Sequence, residues 1–285
     1  MIQSMTGFGK AIKQLPNKKI TVEIKSLNSK SLDLNARIPS AYREKELQIR
    51  SMLANILERG KVDFALFIEL TGEETSSQVN IPVVEEYIKQ LSLVVNGDRT
   101  ELLKMAIRMP DALKTEREEI DETEFQQITL AIEEALKEIS KYRSDEGEIL
   151  KKDFKMRVQT ISDLLDKVIA MDPERIQGVK ERLRKAVAEL KEQVDENRFE
   201  QELIYYLEKY DITEEKVRLE NHLSYFIEAL NSPDSNGKKL GFITQEIGRE
   251  INTIGSKSNY AAMQQLVVQM KDELEKIKEQ LLNVL

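Results

Sequence analysis

The first third of the chain alternates apolar and polar residues, the pattern of strands with one buried face. The alternation is clear at residues 20–25 and again at residues 32–38. Residues 28–31, the link between them, are polar and few, so the two segments are predicted to pair as a hairpin. Residues 62–68 repeat the alternation and predict a further strand of the same sheet.

The start of the chain and the segment after Pro39 complete this region. Residues 2–8 predict a strand, and Gly7 and Gly9 at its end indicate a turn or a close approach of the backbone. After Pro39, residues 42–58 have apolar side chains near helical spacing and predict a helix. Together these segments predict an antiparallel sheet with one helix.

From residue 82 onward the apolar pattern takes the helical period. Asp172 and Pro173 predict a helix start, because Asp caps helices and Pro fits their first position. The long helix that ends near residue 170 is therefore predicted to fold back against the next one as an antiparallel hairpin. Helices are predicted at about 82–95, 99–108, 123–170, 173–194, 198–209, 213–230, 238–254 and 258–283.

These elements predict an α+β fold in three parts. Residues 1–110 are expected to form a domain with a small antiparallel sheet and a helix. Residues 123–196 are expected to form the long helical hairpin, and residues 197–285 a helical C-terminal domain that contains the candidate site.

The last helix has apolar residues at alternating spacings of three and four, which is a heptad pattern. Such a stripe packs either inside its own chain or against another subunit, and the sequence leaves both open. The stripe consists of Val267, Met270, Leu274, Ile277, Leu281 and Val284.

Composition restricts the chemistry. The chain has no Cys, no Trp and one His, so a thiolate site is excluded and any metal site must rest mainly on carboxylates. The absence of Cys fits a cytoplasmic protein. No run of about 18 apolar residues occurs, so no membrane span is expected.

Charge is unevenly distributed. The net charge is −8, yet residues 1–60 carry 11 Lys or Arg against 5 Asp or Glu, and residues 237–260 carry 4 against 2. Basic ends on an acidic protein can form a local site for a polyanion. The alternative is that these charges are ordinary solvated surface.

The polar residues of segment 237–259 gather along one side of the predicted helix. Glu246 and Glu250 are four residues apart, so their carboxylates neighbour and repel each other. Arg249 or a divalent cation could offset this repulsion. A solvated helix face with Arg249 as ion-pair partner explains the same pattern.

A second stripe lies on the preceding predicted helix. Glu215, Arg218 and His222 follow helical spacing. His222 is the single histidine, so it is a candidate for proton transfer near neutral pH. A half-buried histidine with a satisfied hydrogen bond is the structural alternative.

Several blocks of residues resemble the YicC/YloC family of bacterial endoribonucleases, in order along nearly the whole chain. They are Ser4-Met5-Thr6-Gly7-Phe8-Gly9, residues 23–28 with Leu32, Asp33, Arg37 and Pro39, residues 59–62, Arg218-Leu219-Glu220-Asn221-His222-Leu223, residues 237–259 and residues 273–280. The chain departs from the family pattern near Lys30 and Ser31, where an Arg and an aromatic residue are usual. It also has Gly241 where Asp is usual and Gly248 where Asn is usual, so any catalytic role of those two side chains would be missing here.

The resemblance implies cleavage of RNA at internal phosphodiester bonds, with RNA as the substrate. It also implies a divalent cation, Mn²⁺ or alternatively Mg²⁺, and a homo-hexamer around a central channel. RNA-decay machinery is a further candidate partner.

The candidate active site combines the two polar stripes. A short loop at residues 231–237 favours antiparallel helices, which would bring His222 level with Glu246 and Arg218 near Glu250. The expected roles are metal binding by Glu246, Glu250 and His222, proton transfer by His222, and phosphate binding by Arg218 and Arg249.

The candidate RNA-binding cations lie near the two ends. Lys25 precedes the predicted hairpin turn and Arg37 follows it, so both can face one surface. The full set is Lys25, Lys30, Arg37, Arg43, Lys239 and Lys257.

Two other functions remain compatible with the sequence. One is a non-catalytic RNA-binding adaptor or scaffold that delivers RNA to another nuclease. The other is a metal-free ribonuclease in which His222 acts on the ribose 2′-hydroxyl, with a Lys in place of the missing second histidine.

Overall fold

The chain forms two structural units whose boundary falls inside a helix. A computed structural model describes residues 2–71, 78–114, 121–189, 196–233 and 237–285. One unit is Gly7–Ser140, and the other combines Met1–Thr6 with Lys141–Leu285. The predicted division into three parts therefore differs from the observed one. It could not anticipate that one helix supplies core residues to both units.

The Gly7–Ser140 unit contains a four-stranded sheet. Its strands are β1 (Gly7–Gln14), β2 (Lys18–Leu27), β3 (Leu32–Arg37) and β4 (Gly60–Leu70). The order across the sheet is β1-β2-β4-β3, with β3 parallel to β4 and the other neighbours antiparallel. The sheet is therefore mixed, whereas the sequence predicted an antiparallel one.

The predicted hairpin between β2 and β3 is wrong, because β4 lies between these two strands. A 3₁₀-helix (Ser40–Lys45) and α1 (Glu46–Ile56) connect β3 to β4, and such a helical crossover makes two strands parallel. The hairpin of this sheet joins β1 to β2, where the Leu15 amide donates to the Lys18 carbonyl at 2.8 Å.

One face of the sheet packs on α1 and on the start of α4 (Glu122–Glu189). Ile49 and Leu53 of α1, and Ile128 and Ile132 of α4, are fully buried there. β1 approaches α4 so closely that a Cβ at Gly9 would lie 2.1 Å from the Ala135 carbonyl oxygen. The close backbone approach predicted from this glycine is confirmed.

A smaller cluster in the same unit joins two short helices to a two-stranded ribbon. The elements are β5 (Gln78–Val79), α2 (Ile81–Val94), α3 (Arg99–Ala106) and β6 (Leu113–Lys114). Val84, Ala106 and Ala112 form its buried centre. Residues 115–120 lie outside the described residues.

The predicted hairpin of two long helices is also wrong, because α4 continues without interruption through Pro173. A proline inside a helix costs about 3 kcal/mol. Buried side chains on both sides of it, including Val168 and Val179, contribute roughly 1.5–3 kcal/mol each. Asp172 and Arg175 also form a buried ion pair at 2.7 Å across this point, so tertiary contacts offset the cost of the proline.

The C-terminal helices pack with the second part of α4. They are α5 (Glu196–Lys209), α6 (Thr213–Asn231), α7 (Gly237–Lys257) and α8 (Ala261–Leu281). The heptad stripe of α8, from Val267 to Leu281, is buried in this unit's own core. It therefore packs inside the chain, which is the first of the two alternatives. No helix of the described ranges is long and apolar enough to cross a bilayer.

The first residues of the chain belong to this unit. The Met5 amide donates to the Asn283 carbonyl at 2.7 Å, and the Ser4 amide to the Arg143 carbonyl at 3.0 Å. Thr6 Oγ1 donates to Glu146 Oε2 at 2.8 Å. The start of the chain thus ties α4 to the C-terminus, and its predicted strand shifts to Gly7–Gln14.

Candidate functional site

The candidate site lies where α6 and α7 pack side by side. Lys257, in the last turn of α7, donates from Nζ to Glu215 Oε1 at 2.7 Å in the first turn of α6. Lys239, in the first turn of α7, places Nζ 5.4 Å from the ring centroid of Tyr225. These two contacts confirm the predicted antiparallel pairing of the helices.

Helical spacing then identifies which other side chains face the contact. On α7, residues 239, 246, 250 and 257 recur at intervals of seven, four and seven, which places them on one stripe. On α6, residues 215, 218, 222 and 225 form a similar stripe. We call these eight positions the α6–α7 seam. They are Glu215, Arg218, His222, Tyr225, Lys239, Glu246, Glu250 and Lys257.

The two carboxylates in the middle of α7 have different environments. Glu250 is only 4% exposed, whereas the Glu246 side chain is 49% exposed. Among the residues that the structure describes, no hydrogen bond or ion pair reaches the Glu250 carboxylate. Its oxygens are not among the fully buried atoms that lack a partner, so this carboxylate still touches solvent at the seam and is open to a bound cation.

The two arginines have nearby carboxylate partners on their own helices. Arg249 lies 3.9 Å from Glu246 and is largely exposed, and Arg218 pairs with Glu214 one turn away. Exposed ion pairs of this kind are weak, so both guanidiniums can exchange partners for a phosphate. His222 is half-buried on α6, level with the middle of α7.

The predicted metal ligands do not form a three-ligand site within the described parts of the chain. There, no group of three or more His, Asp or Glu side chains is arranged to hold a metal ion. Glu246 and Glu250 remain neighbours on one helix, with Cβ atoms about 5–6 Å apart at this spacing. The chain by itself therefore offers at most two carboxylates to a cation here.

The sequence did not predict that Glu215 holds Lys257. Glu215 is buried, and its second oxygen, Oε2, has no hydrogen-bond partner among the described residues. The spacing of Glu215 with Arg218 and His222 placed it on the correct stripe, but only the packing reveals its partner. Lys257 is thus fixed at one end of the seam.

A buried ion network supports the start of α6. Arg175 Nε donates to Asp172 Oδ1 at 2.8 Å, and Lys216 Nζ donates to Asp172 Oδ2 at 2.6 Å. Asp211 accepts hydrogen bonds from the backbone and hydroxyl of Thr213, which lower the pKa of Asp211. This network fixes the end of α6 that carries Glu215.

The two glycines that depart from the family pattern lie away from the seam. A Cβ at Gly248 would lie 3.2 Å from Leu274 of α8, whereas a Cβ at Gly241 would meet nothing within 4 Å. Gly248 therefore faces α8, and a side chain at this position would not point into the seam.

The predicted RNA-binding cations fall into two groups. Lys239 and Lys257 lie at the two ends of the seam, whereas Lys25 and Arg37 lie on the sheet of the other unit. Both sheet residues pair with β4, Lys25 with Asp63 and Arg37 with Ala65. Paired residues share a face, so Lys25 and Arg37 face the same side as predicted, although not through a hairpin.

The other two predicted cations lie beside the sheet. Lys30 is exposed in the β2–β3 connection, and Arg43 is exposed in the 3₁₀-helix.

Comparisons with known proteins agree with the blocks that suggested a family. The family described as "Endoribonuclease YicC-like, N-terminal region" matches residues 2–152, and "Endoribonuclease YicC-like, C-terminal" matches residues 168–285. The chain belongs to the YicC-like endoribonuclease family. The resemblance predicted from its sequence blocks is confirmed.

Two bacterial relatives align with the YicC-like chain over its whole length and over theirs. A protein of Clostridioides difficile (strain 630) named "Probable endoribonuclease YicC" is 34% identical over 293 residues. A protein of the same name from Haemophilus influenzae (strain ATCC 51907 / DSM 11121 / KW20 / Rd) is 29% identical over 288 residues. The sequence similarity to proteins of that name therefore extends over the residues of both units.

Proposed function

We propose that this chain is an endoribonuclease whose active site is the α6–α7 seam. The names of the family and of the two relatives support cleavage of RNA. The seam adds a chemical reason, because it joins carboxylates, an imidazole and cations along two facing stripes. Such groups can act as acid–base catalysts and stabilise the charge that develops during phosphodiester cleavage.

The observation that carries the proposal is that Glu250, a largely buried residue of the seam, has no hydrogen-bond or ion-pair partner among the described residues. It is 4% exposed and lacks a protein cation among the described residues. Ordinary structural carboxylates at that depth are paired. A carboxylate that no protein cation neutralises, on a largely buried residue of a polar seam, is available to a cofactor.

A divalent cation, Mn²⁺ or Mg²⁺, fits this donor set. Mg²⁺ in phosphoryl-transfer sites is commonly held by one or two carboxylates together with water and substrate phosphates, rather than by a cage of protein ligands. Glu246 and Glu250 would hold it, and water and the phosphate of the RNA would complete its coordination. When bound, such an ion polarises a phosphate oxygen and activates water.

Cations of the seam, together with Arg249 beside it, would bind and orient the RNA. Arg218 and Arg249 would exchange their exposed carboxylate partners for a phosphate, and Lys257 would hold a neighbouring phosphate from its position beside Glu215. His222 would transfer a proton at the cleaved bond.

Cleavage of labelled RNA by the purified full chain tests the proposal. We expect internal cleavage with Mn²⁺ or Mg²⁺ and none in EDTA. Glu250→Gln and Glu246→Gln should lower the cleavage rate by on the order of 10²- to 10³-fold, as removal of one charge-stabilising group usually does. RNA binding should be retained, since the cations remain.

Glu220→Gln is the matched control. Glu220 is exposed on α6 and lies two residues from both Arg218 and His222, which is roughly 200° around the helix. Its loss should leave the rate unchanged. Binding without cleavage under every metal condition would instead identify the chain as an RNA-binding adaptor, and cleavage that persists in EDTA would favour the metal-free use of His222.

We extend the proposal to self-association, with the hexamer that the family resemblance implies. The apolar stripe of α8 is buried within the chain and therefore gives no support for self-association. Other apolar side chains, however, are exposed. Leu93 and Val94 at the end of α2, and Ile204 and Tyr205 on α5, are the clearest examples. Light scattering at micromolar concentration should give a multiple of the 32.9 kDa chain mass, and a monomer mass would contradict it.

A further inference from the structure

The outer face of the four-stranded sheet has an unusual composition. It consists of the side chains that point away from α1 and α4. Strand pairing arranges them in rows, because paired residues share a face. One row contains Phe8, Lys25, Asp63 and Asn35, the next contains Lys10, Glu23, Ala65 and Arg37, and the third contains Ile12, Thr21 and Phe67.

Two phenylalanines stand exposed on this outer face. Phe8 is 41% exposed and Phe67 is 48% exposed. They lie two strands apart, and Phe67 is four residues along β4 from the row of Phe8, which separates them by about 17 Å at standard sheet spacings. Each ring is thus available to a different part of an extended ligand.

Cations stand beside these rings. Lys25 places Nζ 5.7 Å from the centroid of Phe8, and Arg37 is exposed at the edge of the sheet on the same side. In the three rows the cations are Lys10, Lys25 and Arg37, and the carboxylates are Asp63 and Glu23, of which Glu23 pairs with Lys10 at 2.9 Å and with Lys25 at 3.8 Å. The rows therefore have a small excess of cations, whereas the whole chain has a net charge of −8.

The arrangement of the rows favours a nucleic acid over a protein as occupant. The charged row of Lys10, Glu23 and Arg37 separates Phe8 from Ile12 and Phe67, so the apolar side chains do not merge into one patch. Cores of protein interfaces are depleted in charge. Isolated aromatic rings alternating with cations suit bases and phosphates.

We propose that this outer sheet face binds single-stranded RNA. Phe8 and Phe67 each stack against one unpaired base, while Lys25 and Arg37 contact phosphates. The strand must be single because bases inside a duplex are already stacked and cannot lie on an aromatic ring. The outer sheet face contains no residue of the α6–α7 seam, so this binding site is separate from the proposed site of cleavage.

Fluorescence anisotropy tests the outer sheet face by measuring the affinity of the full chain for a labelled 12-nucleotide 2′-O-methyl RNA oligonucleotide. This probe resists cleavage, so the result does not depend on nuclease activity. Phe8→Leu and Phe67→Leu keep apolar surface but remove the ring, and each should weaken binding by about 5- to 50-fold. Phe8→Tyr and Phe67→Tyr keep the ring and should bind as the wild type does.

Two controls make the result specific. Leu47→Ala removes an exposed apolar side chain of α1 in the same unit and should not change affinity. The same oligonucleotide annealed to its complement should bind all the phenylalanine variants equally. Unchanged affinity for the single strand in both Leu variants would overturn the proposal. If light scattering also showed a lower oligomer mass for these variants, the outer sheet face would instead be a surface between copies of the chain.

Discussion

The outer sheet face and the α6–α7 seam both contain cations, but they differ in whether a cation pairs with the carboxylate at their centre. On the sheet, Lys10 Nζ donates to Glu23 at 2.9 Å, and this hydrogen bond lowers the pKa of Glu23. In the seam, Glu250 is buried and lacks such a partner among the described residues. A neutralised surface carboxylate can only tune binding, whereas a buried free one can take part in chemistry.

This difference divides the work between the two regions. Under the two proposals, the rings and cations of the sheet would hold RNA, and the carboxylates and the imidazole of the seam would cut it. Variants in one region should therefore leave the property of the other intact. The expected outcomes below run from the largest effect to the smallest.

Loss of Asp172 should destabilise the unit that carries the seam. In Asp172→Ala, the buried Arg175 loses its carboxylate, and removal of one partner of a buried ion pair costs about 3–5 kcal/mol. Denaturant unfolding should show this loss, with faster amide exchange in α6 and unchanged exchange in β2. Asp166→Ala, an exposed change on α4, is the control; equal loss in both variants would contradict the network's role.

Loss of the imidazole should affect only catalysis. His222→Gln keeps a polar side chain but removes proton transfer, which usually contributes 10²- to 10⁴-fold, so the rate should fall by about that factor. The measurement is single-turnover cleavage at saturating RNA. Phe67→Leu should retain the wild-type rate at saturating RNA. A slow rate in Phe67→Leu would contradict the assignment of binding to the sheet and of cleavage to the seam.

A side chain at Gly9 should destabilise the sheet unit. The Cβ in Gly9→Ala would overlap the Ala135 carbonyl oxygen, and overpacking of this kind costs about 1–3 kcal/mol. Gly178→Ala in α4 has open space around its Cβ and should gain up to about 1 kcal/mol from helix propensity. Thermal unfolding of both variants measures the contrast, and two shifts of the same sign would oppose it.

The salt dependence of RNA affinity should report the sheet cations. Lys25→Ala or Arg37→Ala should each reduce the slope of log affinity against log salt by about 1, because one phosphate contact is lost. Lys152→Ala, exposed on α4, should leave the slope unchanged. An unchanged slope in the sheet variants would remove these two residues from the RNA-binding surface.

Acid should weaken the start of α6 by a small amount. Because the pKa of Asp211 is lowered by its hydrogen bonds to Thr213, its stabilisation is present above the unfolded pKa, about 4, and is lost as pH falls through the lower folded value. Asp211→Asn should therefore flatten the pH dependence of the free energy of unfolding below about pH 4. An identical pH profile in variant and wild type would show that this cap does not contribute.

Strand parity explains why Lys25 and Arg37 share a face as predicted, although the hairpin behind that prediction was wrong. Lys25 and Arg37 were expected to share a face through a β2–β3 hairpin, and they share it through β4 instead. Side chains alternate along any strand, so the buried apolar positions determine the outward ones whatever the neighbour is. The order of strands depends on the α1 crossover, which local pattern does not reveal.

The sequence by itself determined the helices α6, α7 and α8, their antiparallel pairing across the short loop, and the stripe that holds Glu246 and Glu250. These follow from the helical period, which is a local property. Only the tertiary structure decided that α4 runs through Pro173, that Glu250 is buried while Glu246 is not, and that α8 packs inside its own chain. Each of these depends on contacts between residues far apart in sequence, whose energies exceed the local preferences that the sequence displays.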